Sequence, residues 1–190
     1  MAKQHIPDEP SKENSLFAQE EDTRGVFEIP LAERMRPQSL DEYAGQSELL
    51  AEGRPLRALL EGGRVPSCIL YGPPGVGKTT LVRLMAKVTN RELLEINAVS
   101  AKVETLRSLV DSAQEEKRFS GRAALAFVDE LYHFNSKQQN VLLPAVEKGD
   151  LILVGTTTEN PWFSINKTLL SRMVVYTLKP LDDDDLYKLL

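Results

Sequence analysis

At 190 residues, with 42% hydrophobic and 27% charged side chains, the chain can bury one full core and a fragment of a second. Its net charge of −5 at pH 7 excludes a global basic signature for nucleic acid, and its single cysteine, Cys68, excludes an internal disulfide. With only His5 and His133 besides, no His/Cys zinc site can be assembled.

In chain order, residues 1–28 are polar, acidic and aperiodic, and read as a disordered tail. They carry no hydrophobic secretion segment, and no later apolar stretch approaches membrane-spanning length. Together with the lone cysteine this favours a cytoplasmic protein without a membrane partner. The globular body is expected over residues 29–180, with a first short helix at Pro55–Glu61 closed by Gly62 and Gly63. Strands are predicted at Cys68–Tyr71, Leu93–Ile96, Ala124–Val128, Leu151–Gly155 and Val174–Leu178. Helices alternate with them at Lys78–Val88, Val103–Lys117, Ser136–Val146 and, briefly, Lys167–Leu170. In the second of these, Val103, Leu106, Val110 and Ala113 form one buried stripe. Five short apolar strands separated by helices predict an α/β fold, a three-layer sandwich with a five-stranded parallel sheet and helices on both faces. Asp182–Asp185 read as the acidic start of one more helix rather than a metal site. The chain stops within that helix's first turns, so residues 181–190 are expected to open a truncated further subdomain of something longer.

The most specific signal is Gly72, Pro73, Pro74, Gly75, Val76, Gly77, Lys78 and Thr79, which fit the G-x-x-x-x-G-K-[ST] phosphate-loop pattern between a strand and a helix. Glycines let backbone amides approach phosphate oxygens, and the helix running on through Thr80 turns its positive end to the anion. Lys78 supplies a charge for the β- and γ-phosphates, and the Thr79 hydroxyl is placed to ligate Mg²⁺. A glycine-proline turn that binds nothing is the alternative, and the flanking strand and helix argue against it. Asp129 and Glu130 end an apolar strand. The first is expected to hold Mg²⁺, partly through water, and the second to polarise the attacking water; a pair of surface acids is the plainer reading. At the tip of the next strand, Thr158 is the first choice for a residue sensing the γ-phosphate, with Asn160 and Thr157 after it. Arg172 either pairs with a local carboxylate or is presented in trans to the nucleotide of a neighbouring subunit.

These features resemble an AAA+ ATPase of the clamp-loader and branch-migration group. Residues 30–37, Tyr43-Ala44-Gly45-Gln46, Phe134-Asn135 with Gln138-Gln139, and 155–161 are similar more specifically to the replication-associated recombination protein A family. The likeness runs from about Ile29 to Leu190. It implies a DNA-stimulated ATPase using ATP and Mg²⁺, acting as a homo-oligomer on forked, gapped or single-stranded DNA ends, with single-strand-binding protein or other replisome components as partners and a nucleoid-associated location. It also implies that Arg36, Pro37, Tyr43 and Gly45 border the adenine, and that the lid and the C-terminal oligomerisation region lie past Leu190. A clamp-loader subunit, a Holliday-junction motor and a nucleotide-stabilised adaptor with little turnover remain as alternatives. Two positions depart from the family pattern. His133 stands where a basic residue is usual, and Trp162 stands where a small polar residue is usual. Trp162 is expected to pack against its own loop.

Overall fold

The computed structural model describes residues 30–189, so the acidic segment 1–28 lies outside the described residues. The chain divides into two compact units, Met1–Arg36 and Pro37–Leu190. The described part of the first holds one short helix, α1 (Leu31–Arg34), and an ion pair between Arg36 and Glu33 at 2.8 Å.

The second unit opens with two short helices, α2 (Ser47–Leu50) and α3 (Pro55–Glu61). There follow β1 (Cys68–Tyr71), α4 (Lys78–Val88), β2 (Leu93–Asn97), α5 (Val103–Ser120) and β3 (Ala124–Asp129). A 3₁₀ turn at Leu131–His133 leads to α6 (Ser136–Glu147), β4 (Leu151–Thr157), α7 (Pro161–Ser164), α8 (Lys167–Leu170), β5 (Val174–Thr177) and α9 (Asp183–Leu189). The strands form one parallel sheet in the order β2-β3-β4-β1-β5. That is the predicted architecture.

Strand alternation divides the core in two, because successive side chains leave a strand on opposite faces. Cys68 and Leu70 of β1, Leu125 and Phe127 of β3, and Val154 of β4 meet Leu81, Leu84 and Met85 of α4 on one face. Ile69, Ala124, Ala126, Val128, Leu151 and Leu153 meet Leu106, Leu142 and Leu169 from α5, α6 and α8 on the other. Cys68 is fully buried, and burial pushes its thiol up to about 12, so it is a core residue without nucleophilic character.

Three strands run further than their apolar runs. β2 gains Asn97, β3 gains Asp129 and β4 gains Thr156 and Thr157, because the hydrogen-bonded ladder continues where the hydrophobic pattern stops. Among the described residues no helix is long and apolar enough to cross a membrane.

Candidate nucleotide site

β1 delivers the chain to the phosphate loop at the carboxyl end of the sheet, where open α/β sheets place their ligand crevices. Gly77 has φ 91° and caps α4 with no side chain, so no side chain occupies the helix's first amides. A Cβ at Gly77 would also lie 2.5 Å from the Tyr43 hydroxyl, which donates to the Gly77 carbonyl at 3.2 Å. Burial raises the Tyr43 phenol far above its ordinary range, which keeps that proton in place. Lys78 is buried, and its Nζ donates to the Gly72 and Pro73 carbonyls at 2.8 and 2.9 Å. Pro74, Gly75, Gly77, Lys78, Thr79 and Thr80 line a cavity of about 370 Å³ together with Asp129 and Glu130, while Val76 is buried beneath.

The two acids reach this cavity because β3 and β4 are in register, with Val128 opposite Gly155. A Cβ at Gly155 would come within 2.6 Å of Leu131 Cδ2, so this glycine gives Leu131 its room. Leu131 opens the 3₁₀ turn that bends the chain away after Glu130. Glu130 itself takes the left-handed conformation, φ 52°, which is uncommon for a residue with a side chain. The Thr156 hydroxyl donates to Asp129 Oδ1 at 2.6 Å and accepts from the Glu130 N–H at 3.1 Å. The Glu130 carboxylate accepts from the Thr158 N–H at 3.1 Å and, more loosely, from its hydroxyl at 3.4 Å. Thr157 turns its hydroxyl to the Glu159 backbone instead.

Other nominated residues lie elsewhere. Asn160 caps α7, its Oδ1 accepting from the Trp162 N–H at 3.0 Å ahead of Pro161 at the first helical position. Trp162 does not pack against its loop as expected. It is 57% exposed and its neighbour Phe163, in the same four-residue helix, is 90% exposed. Tyr43 and Gly45 line a separate hollow of about 470 Å³, which also takes in Arg57 and Asp185. Pro37 is half-buried and lines neither cavity, and Arg36 belongs to the first unit. Arg172 is exposed, paired with Glu147 at 3.1 Å and with the Ser171 hydroxyl. It lies just ahead of β5, whose first residue, Val174, is level with Cys68 at the start of β1. The phosphate loop leaves the other end of β1, about 13 Å of strand away. His133 is exposed and lies against Tyr132, ring centroids 4.1 Å apart.

One residue at the site has no signal of its own in the sequence, and another, Gln46, stands in a family-like segment whose physical role only the fold shows. Thr156 was passed over in favour of its neighbours, since only the strand register brings it beside Asp129. Gln46 clamps Lys179 from both sides, Nε2 donating to the Lys179 carbonyl at 2.7 Å and Oε1 accepting from its N–H at 3.0 Å.

Fold and loop together define a phosphate-loop nucleotide-binding protein. The profile of the ATPase family associated with various cellular activities (AAA) matches residues 68–181. The replication-associated recombination protein A of Coxiella burnetii is 48% identical over 162 residues, covering 85% of this chain and 36% of that protein. Its Escherichia coli counterpart is 45% identical over 161 residues, with the same coverage. ATPase WRNIP1 of Dictyostelium discoideum is 41% identical over 161 residues, 85% of this chain and 18% of that protein. Among solved structures, the Thermotoga maritima RuvB Holliday junction branch migration motor superposes with a TM-score of 0.65 at 27% identity, covering 82% of this chain and 52% of that one. The chain belongs to the AAA ATPases, and among them to the replication-associated recombination protein A group. It spans about a third of the length of the first two relatives.

Proposed function

We propose that this chain is the ATP-binding and hydrolysing part of an oligomeric protein that works on forked or gapped DNA during replication-associated recombination. The observation that carries the chemistry is one cavity holding Lys78, Thr79, Asp129 and Glu130, with the acids held by Thr156 of β4 and by Thr158 just past its end. The donor set fits the group. Among the described residues no protein group bonds Asp129 Oδ2, and α4 begins without a side-chain cap. Thr79 and Asp129 would hold Mg²⁺, which supplies neutralisation of the phosphate charge when bound. The amides at the start of α4 and Lys78 bind the phosphates, and Glu130 accepts the proton of the attacking water. Thr158 holds the Glu130 carboxylate in position. Arg172 stands too far along β1 to serve its own loop, which supports its action on the nucleotide of another subunit.

DNA as the partner is inferred from the relatives' names, replication-associated recombination proteins and a Holliday junction motor; homo-oligomer assembly and a place with the chromosome in the cytoplasm belong to the same proposal. A branch-migration motor shares the fold, but the 45–48% identities favour the recombination group over the 27% of the RuvB motor. The test is ATP turnover against protein concentration, with and without forked DNA. The proposal expects turnover per subunit to rise with both. A rate indifferent to both removes the DNA coupling and the trans arginine together.

A further inference from the structure

We propose that Thr156 is the residue that positions both acids of the site, and that the cation dependence of nucleotide binding is set through its hydroxyl; this rests on the nucleotide reading above. A hydroxyl has one proton to give and lone pairs to receive with. The Glu130 N–H can only donate, so it takes a lone pair of Thr156 Oγ1 at 3.1 Å. The hydroxyl proton is then committed to Asp129 Oδ1, and an oxygen–oxygen distance of 2.6 Å marks a short, strong hydrogen bond. Thr156 is fully buried, so no solvent competes for either bond. One side-chain atom thereby fixes the rotation of the Asp129 carboxylate and leaves Oδ2 as the oxygen for a cation.

The same atom supports the backbone of Glu130 in its left-handed conformation, φ 52°. Thr158 follows two positions later and holds the side chain of that glutamate. Glu130 is gripped at its amide by one threonine and at its carboxylate by the other. Only a residue with a hydroxyl on a short stem can do what Thr156 does. Valine matches its shape and has no such group.

The experiment uses the full chain and a fluorescent ATP analogue. Affinity is measured in EDTA, then Mg²⁺ is titrated in, for the parent, Thr156→Val and Thr156→Ser. Groups that orient a metal ligand from behind typically contribute 10–100-fold in metal affinity. The half-saturating Mg²⁺ should therefore rise about tenfold or more in Thr156→Val, stay within about twofold of the parent in Thr156→Ser, and leave the EDTA affinity within about twofold in both. If the valine variant does not fold, Thr156→Ala carries the same titration. An unchanged Mg²⁺ midpoint in the valine or alanine variant overturns the proposal, as does a serine variant as impaired as valine. A parent that binds no analogue at all overturns the nucleotide reading itself, a result distinct from both.

Discussion

The phosphate loop and the end of β3, braced by the tip of β4, meet at one cavity, yet they are assembled from different distances along the chain. Lys78 finds its partners in Gly72 and Pro73, six and five residues back, and the loop's shape is written in its own glycines. Asp129, Glu130 and Thr156 meet across 26 or 27 residues, and they do so only because β3 and β4 pair in one register. A change in the loop should therefore disturb the phosphate grip and little else. A change at the β4 tip should leave the grip and disturb the chemistry.

The sharpest way to separate the two is Lys78→Ala, which should abolish ATP binding in a direct binding assay while the protein stays folded. Retained micromolar affinity would break the contrast from the loop side. Next in size is Arg172→Ala, at the far end of β1, expected to lower turnover by about 10³-fold or more with ATP affinity unchanged. Its ion pair with Glu147 is exposed, worth about 0–1 kcal/mol, so the melting temperature should barely move. Glu130→Gln should cut turnover by about 10²–10⁴-fold and keep binding; hydrolysis at the parental rate would remove Glu130 as the base.

Smaller effects test the framework. Gly155→Ala drives a methyl into Leu131 and should cost about 1–3 kcal/mol in chemical denaturation, with turnover falling alongside as the acid-bearing turn shifts. A further effect, confined to alkaline solution, is on pH dependence. The Cys68 thiol goes from its ordinary 9.0 to about 12 in the folded protein, so the unfolded chain loses that proton first. Its contribution is whole below pH 9 and fades as pH climbs through about 12. Melting temperature should fall across that window, more shallowly in Cys68→Ala.

The loop and all five strands were legible because they are local: a glycine pattern, an apolar run, a helical stripe. Other motifs carried information whose physical meaning lay elsewhere. Asn135 and Gln138 form a reciprocal capping box at the start of α6. Gln138 also ties α6 to the Ala101 carbonyl, and Gln139 bonds the Phe134 carbonyl and the Asn166 N–H. These residues hold helices in place and do not touch the cavity. Asn160 is a candidate sensor in the sequence because it is a polar residue near the tip of a strand; in the fold its carboxamide oxygen accepts from a backbone amide two residues on. Thr156 was illegible because nothing within its own strand distinguishes it from Thr157. Its role exists only in the pairing with β3.

The Gln46 clamp on Lys179 has a mechanical consequence. Both backbone groups of Lys179 are tied to a side chain three residues after Tyr43, and the Lys179 ammonium adds a bond to Glu48. Any swing of α9 must therefore hinge downstream of Lys179, in Pro180–Asp182, or tear both bonds first.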